Sequence, residues 1–451
     1  MLEKVSGFFK RFFKFFSVSK QEIIGSVGLI FVKDYISKSL VVELFSRIPD
    51  NRDPLKIWYS MSEQLVGIIL RLLGGDIPFY HFQGEKNSAF LKRVYNICKE
   101  PHFTTFRYLF KTNPHIANYL NEILFQLGID YLRTSICKYG LKKITLDIDQ
   151  TDRESYGRQE GVRKGYSARG KNKKVLQGSV WIIRELNYIL KVELLPGNTH
   201  CSNNFLERLK PVIEELKKLE VKILVCCDSG YANQAIFDYL DQNRIEFIFA
   251  KKQNKVVKQR GKNAKNKSHL QNGGIVIKER ICKTKNDSKY REIFIQNKII
   301  VDNYGQLYFK NFASNQFTNV LITNLICKVK HVYKKYREHA IIEKVIEELK
   351  NDFGFAKAHG NSFNFNSSLA QLVAIAYNVK VNFLRDKAEA ETNQFHLNLK
   401  IIKLSTFQRT FIHLPGILVN HSGKMILKLS ENTLPIFKSI LLKMDYSFYP
   451  S

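Results

Sequence analysis

The chain has 451 residues, enough for two or three domains with a sizeable core, and its 44% hydrophobic and 25% charged content is ordinary for a globular protein. Its charge is not ordinary: 71 Lys and Arg against 41 Asp and Glu give a formal +30, which points to a polyanionic partner and to binding that weakens steeply with salt. The seven cysteines form no Cys-x-x-Cys pair, so neither a zinc ribbon nor a disulfide framework is indicated, and no apolar run approaches the ~20 residues of a membrane span.

Residues 1–20 set Lys10, Arg11 and Lys14 inside a Phe-rich run, which reads as a basic amphipathic helix rather than a secretory leader. Residues 1–138 read mainly as helices, with apolar residues three and four apart at Leu65–Leu73 and Ile116–Ile136. The stretch from Pro101 and His102 to Arg107 looks like a turn and a capped helix start. Such a helix could enter a groove or clamp phosphates through Arg107, and an ordinary helical hairpin accounts for it equally well.

From about residue 141 the period changes to two. Lys143–Thr151 alternates, with Ile144, Leu146 and Ile148 on one face and Thr145, Asp147 and Asp149 on the other. Val180–Arg184 and Tyr188–Leu195 form a hairpin around Glu185, Leu186 and Asn187. Asn204–Leu219 is helical by period. Val221–Cys227 is nearly all apolar, as in a strand buried on both faces, and ends abruptly at Asp228. A helix at Phe237–Gln242 and a strand at Ile245–Ala250 complete the first part of a core over 139–251.

Residues 252–330 then turn basic, with a lysine-rich run at 262–267 whose plainest reading is a solvated loop. Short strands at Gly274–Lys278, Glu292–Gln296, Gly305–Lys310 and Asn319–Thr323 make this a strand-rich insertion. Helices resume near Lys334 and form the end of the core over 331–390, and residues 391–451 are expected to be a helical tail suited to dimerisation. Three strands, a helix, a strand, a helix and a strand, with acids on the first and fourth strands, is the layout of an α/β, RNase H-like domain.

Two-metal phosphodiester cleavage needs about three converging carboxylates, and magnesium suits such oxygen donors. Asp147 and Asp149 share a face, so periodicity does not choose between them. Asp228 ends a buried strand where α/β sites form, although Asp-Ser-Gly also suits a helix cap. On the helix from Lys334, the residues Tyr336, His339, Glu343 and Lys350 fall in one stripe beside the apolar Ile342, Val345, Ile346, Leu349 and Phe353. Glu347 falls close to the same face.

The run Tyr336-Arg337-Glu338-His339-Ala340-Ile341-Ile342-Glu343, followed by Lys350 and by Asn351-Asp352-Phe353-Gly354, resembles the Tyr-x2-Arg-x3-Glu-x6-Lys motif of insertion-sequence DDE transposases. Leu146 to Thr151, Gly157 to Gly161, Gly165-Tyr166, Pro196-Gly197-Asn198, Asp228-Ser229-Gly230-Tyr231 and Ala376-Tyr377-Asn378 are similar to that family too, over about 141–425. The resemblance favours Asp149 and Glu343. It implies two Mg2+ ions (Mn2+ as substitute) on Asp149, Asp228 and Glu343, with Tyr336, His339 and Lys350 positioning phosphates. It further implies transposon-end and target DNA as partners, a homodimer on DNA, and a cytoplasmic place at a bacterial nucleoid. Residues 1–138, outside that resemblance, are expected from their own pattern to be a helical DNA-binding region with Arg107 on its phosphate-facing helix.

In such transposases water frees a 3′-hydroxyl at each end, and that hydroxyl attacks target DNA. His339 stands where the family has Arg, so a fixed cation becomes an imidazole, and weaker phosphate contact is expected. Relatives that cut through a hairpin hold a flipped base on an aromatic of the insertion. Trp58 and Trp181 lie outside it, leaving Tyr304, Tyr308 or Phe309. An RNase H-like nuclease that does not join strands, and a weakened or repurposed DNA-binding protein, are the alternatives.

Overall fold

The computed structural model describes residues 21–75, 103–155, 157–167, 170–270, 275–283, 289–297, 318–392, 402–421 and 424–429. The Phe-rich start, Pro101 and His102, the strand expected at Gly305–Lys310, and Tyr304, Tyr308 and Phe309 lie outside them. The chain divides into two compact units. The first comprises Met1–Asn113, Asn382–His396 and Ile402–Ser451, the second Pro114–Val381 and Leu397–Ile401.

The first unit begins with β1 (Gln21–Ile24), α1 (Gly28–Ser37), α2 (Leu40–Ser46), α3 (Met61–Gly74) and α4 (Phe103–Thr112). α3 has both its ends written in the sequence. Ser60 accepts the Glu63 N–H, the Glu63 carboxylate takes the Ser60 N–H at 2.7 Å, and Gly75 at φ 90° stops the helix. Its Leu65, Ile68, Ile69, Leu72 and Leu73 are buried.

The second unit opens with α5 (Ile116–Tyr139), β2 (Lys143–Glu154), β3 (Arg163–Ser167), β4 (Gly170–Ile183), β5 (Tyr188–Pro196), α6 (Phe205–Lys217), β6 (Lys222–Cys227), α7 (Gln234–Gln242) and β7 (Glu246–Ala250). It continues with α8 (Lys255–Lys262), β8 (Lys265–Leu270), β9 (Ile275–Lys283), β10 (Lys289–Asn297), β11 (Asn319–Thr323), α9 (Val329–Arg337), α10 (Ala340–Asn351) and α11 (Phe363–Thr392), whose residues from Asn382 belong to the first unit. One mixed sheet runs β3-β4-β2-β6-β7-β11-β10-β9-β8, with β5 also on β4. β2, β6 and β7 are parallel, and β4 is antiparallel to β2.

Side-chain alternation gives the sheet two different faces. Ile144, Leu146 and Ile148 of β2, Val225 and Cys227 of β6, and Phe247 and Phe249 of β7 pack with Leu132, Phe205, Leu209 and Phe237 of α5–α7. The opposite face carries Leu224, Cys226, Ile248 and Ala250 against Val329 and Val332 of α9. Asp147 and Asp149 belong to this second face.

Four expectations change. The helix expected from Lys334 starts at Val329 and breaks at Glu338 and His339, where the Ile341 and Ile342 N–H groups turn to carbonyls three residues back, each at 3.1 Å. The basic stretch widens the central sheet, since β11 pairs with β7, and its lysine-rich run supplies the end of α8 and the start of β8. Buried Glu292 explains how so basic a segment orders: Lys251, Arg260 and Arg280 gather around it.

Among the described residues beyond 402, the expected helical tail is a short helical stretch, Leu404–Phe407 running into a π-helical turn at Gln408–Ile412, followed by a hairpin, β12 (Gly416–His421) and β13 (Lys424–Leu429). β1, in a region read as helical, pairs with β12. Gly28 permits that arrangement, because a Cβ there would lie 1.6 Å from the Phe411 carbonyl oxygen. No helix of the described residues is long and apolar enough to cross a membrane.

Candidate functional site

Asp147 of β2 lies opposite Cys226 of parallel β6, and Ile148 opposite Cys227. One step further stand Asp149, midway along β2, and Asp228, just past the carboxyl end of β6. The Asp228 carboxylate accepts the Ser229 N–H and caps a 3-10 turn, Ser229–Tyr231, and Asp228 also lines a cavity of about 690 Å³ with Asp149.

Depth separates the two aspartates that periodicity left open. Asp147 is 0% exposed. The Arg184 guanidinium donates to both of its oxygens, through Nε at 2.7 Å and through Nη2, and His339 Nδ1 lies 2.8 Å from Oδ1. Asp147, Cys226 and His339 also bring one donor atom each within 4.8 Å of one another, as a metal site would. Arg184 argues against a cation there: it occupies both Asp147 oxygens, and burial followed by Asp147 pushes the Cys226 thiol up to about 12. The cluster is an ion-pair knot. Arg184 Nη1 also donates to the Lys335 carbonyl at 2.8 Å, which ties the end of α9 to β2 and β4.

The loop after β5 forms one wall of the cavity, with Gly197, Asn198, Thr199, His200 and Cys201. It lies close because two glycines let backbones touch: a Cβ on Gly197 would be 1.9 Å from the Val175 oxygen, and one on Gly165 1.9 Å from the Gly197 oxygen. Gln150 Nε2 donates to the Thr199 carbonyl at 3.3 Å and to Gln177 Oε1 at 3.1 Å, steadying that wall. Lys164, Lys252 and Lys350 also line the cavity, as does Tyr166, 72% exposed.

Charge converges on Asp149. Burial raises its carboxyl to about 6. The Gln150 N–H at 2.7 Å and His339 oppose the rise, while Asp228 and Glu343 add to it. Glu343, exposed in the first turn of α10, is near enough to add to this rise but is not among the residues that line the cavity. Burial, then Asp228, also raises the Tyr336 hydroxyl, whose ring stacks on His339 with centroids 5.8 Å apart. Lys350 Nζ donates to Asp152 Oδ1 at 3.0 Å and Ser167 Oγ to Oδ2 at 2.6 Å. Burial would raise the Asp152 carboxyl, but these bonds hold it below its usual range.

Of the residues singled out from sequence, Asp149, Asp228 and Lys350 line one cavity, and Glu343 and Tyr336 act on its acids. His339 is 7% exposed and turned to Asp147. Arg107 is exposed on α4 in the first unit, outside this site. Arg184, Lys164 and Lys252 were not anticipated. Lys252 follows the carboxyl end of buried β7, so the strand-end rule that found Asp228 would have found it.

No curated protein matches the chain. Among solved structures it is similar to a piggyBac transposase synaptic complex with hairpin DNA, at 9% identity and TM-score 0.42, covering 86% of this chain and 79% of that one. A Mos1 transposase paired-end complex with left transposon end is more distant, at 13% identity and TM-score 0.17, covering 44% and 60%. A pre-cleavage Mos1 transpososome likewise gives 13% identity and TM-score 0.17, covering 41% and 77%. The sequence itself matches the family described as Transposase DDE domain group 1 over residues 129–444, well over half its length, and the chain belongs to that family.

Proposed function

We propose that the chain is a DNA transposase that cuts transposon ends and joins them to target DNA, with Asp149, Asp228 and Glu343 as ligands of two Mg2+ ions that Mn2+ can replace. The observation that carries this reading is that Asp149 and Asp228 line one cavity with Lys350, while Glu343 adds further negative charge at the buried Asp149 carboxyl. Such a concentration of carboxylates suits a divalent cation, and an all-oxygen donor set suits a hard one. Bound there, the ions would activate the attacking oxygen and steady the leaving one.

The chain's own groups do the rest. The Tyr336 hydroxyl and Lys350 ammonium position the phosphate, and release of Lys350 from Asp152 would free it for DNA. His339 works from behind, holding Asp147 and favouring the ionised form of Asp149. Arg107 and the helical N-terminal region grip DNA. The strand order β5-β4-β2-β6-β7, with β2, β6 and β7 parallel, supports an RNase H-like core. A homodimer assembled on two DNA ends at a bacterial nucleoid completes the reading.

The test incubates the full chain with magnesium, a labelled end from inverted repeats flanking its gene, and a target plasmid. Nicks with a free 3′-hydroxyl and joined products are expected. Asp149→Ala, Asp228→Ala and Glu343→Ala should abolish both, and Glu347→Ala should not. Cutting without joining would make the protein a nuclease, and binding without cutting a repurposed DNA-binding protein.

A further inference from the structure

We infer that the groove between α8, β8 and β9 is a second nucleic-acid site, shaped for an unpaired DNA strand that runs on from the acidic cavity. The groove has a volume of about 810 Å³. Five cationic side chains line it, Lys255, Arg260, Lys265, Lys267 and Arg280, against one carboxylate, Glu279. That carboxylate is already engaged by Arg291 and by Lys267 at 3.7 Å. Lys255 and Lys265 have no carboxylate partner among the described residues.

The two guanidiniums are braced rather than loose. Arg260 and Arg280 each approach buried Glu292 at 3.5 Å, and Lys251 fixes the same carboxylate at 2.6 Å. One carboxylate thus serves three cations, so positive charge is left over and its geometry is set before any ligand arrives.

The kind of polyanion follows from the apolar part of the groove. Val256 is 58% exposed and Ile281 65% exposed, and both line it. A duplex hides its base faces and offers mainly phosphates, for which an aliphatic floor does nothing. An unpaired strand offers base faces to the floor and phosphates to the rim; single-strand grooves usually stack bases on aromatic rings, and here Val256 and Ile281 offer apolar contact in that place. An aliphatic floor makes no hydrogen bonds to base edges, so no sequence preference is expected.

The origin of the strand follows from the chain. Lys252 lines the acidic cavity and Lys255 the groove. Three residues of extended backbone span at most about 10 Å. Lys252 and Lys255 are therefore close enough for one strand leaving the acids to touch both. The inference deepens the transposase reading and rests on it only for where the strand comes from.

The test measures binding of fluorescent oligothymidylate and of a duplex of equal length to the full chain in EDTA, so that cutting plays no part. Two sets of exposed side chains are changed. Neutralising Lys255→Gln, Lys265→Gln and Lys267→Gln together should weaken single-strand binding about tenfold or more and flatten its log–log salt slope by roughly 2. Val256→Ser with Ile281→Ser should weaken single-strand binding by about tenfold and leave duplex binding unchanged.

Wild-type affinity in both variants, with unchanged circular dichroism, would overturn the inference. So would equal losses for single strand and duplex in the apolar variant, which would reduce the groove to a generic phosphate contact. Loss of the transposase reading alone would show as intact groove binding in a protein that never cuts.

Discussion

Replacing Asp149 by Asn should stabilise the metal-free protein while destroying its metal site. The carboxyl sits at about 6 in the fold against an ordinary 3.8, with burial as the main cause. The folded state therefore holds this proton more tightly than the unfolded chain. This group's contribution to stability is best below pH 3.8, falls as pH rises to about 6, and is flat above. The whole difference is worth about 3 kcal/mol at most. The substituted amide is neutral at every pH, and its carbonyl can still accept the Gln150 N–H that Asp149 accepts at 2.7 Å.

In a chelator near pH 7.5, Asp149→Asn should gain about 1–3 kcal/mol, several degrees in the thermal midpoint. Near pH 4.5 about a third of the gain should remain, because there the wild type is largely protonated in the fold. Added Mn2+ should raise the wild-type midpoint and not that of the variant. Differential scanning fluorimetry at the two pH values reads all of this. A variant less stable than wild type at pH 7.5, or a gain independent of pH, would refute the electrostatic reasoning.

Arg184→Ala should cost about 3–5 kcal/mol in urea unfolding, since it leaves Asp147 buried and stripped of its main counter-charge. A loss below about 1 kcal/mol would mean the knot does not hold α9 to the sheet. Gly197→Ala should weaken the fold by about 1–3 kcal/mol and cut DNA cleavage, because the new methyl meets the Val175 oxygen at 1.9 Å and must push the cavity wall away. Unchanged cleavage in that variant would separate the wall from the chemistry.

What was legible in the sequence was local. The alternation at Lys143–Thr151 and the apolar run at Val221–Cys227 carry their own strand signals, and the observed β2 and β6 follow them closely. β3 was silent, because Arg163 to Ser167 is mostly polar and exposed and becomes a strand only by pairing with β4. β1 was silent for the same reason at longer range, since its partner β12 lies at the other end of the chain. An arginine at a hairpin turn reads as solvated, and Arg184 is buried only because Asp147 and the Lys335 carbonyl are brought to it.

The choice between Asp147 and Asp149 needed depth, which period two cannot express. The resemblance favours Asp149, and in the fold Asp147 is 0% exposed while Asp149 lines the cavity. Gly165 and Gly197 stand in the family-like motifs, and the close backbone contacts explain why no side chain fits there.

Titrating Mn2+ into the full chain bound to a DNA end, followed by electron paramagnetic resonance, tests the metal-holding acids most directly. The account predicts about two ions per chain in the wild type. Binding should weaken sharply in Asp149→Ala, Asp228→Ala and Glu343→Ala and persist in Cys226→Ala and Glu347→Ala. Unchanged binding in the three acid variants, with loss in Cys226→Ala, would move the ions to the Asp147 cluster and contradict it.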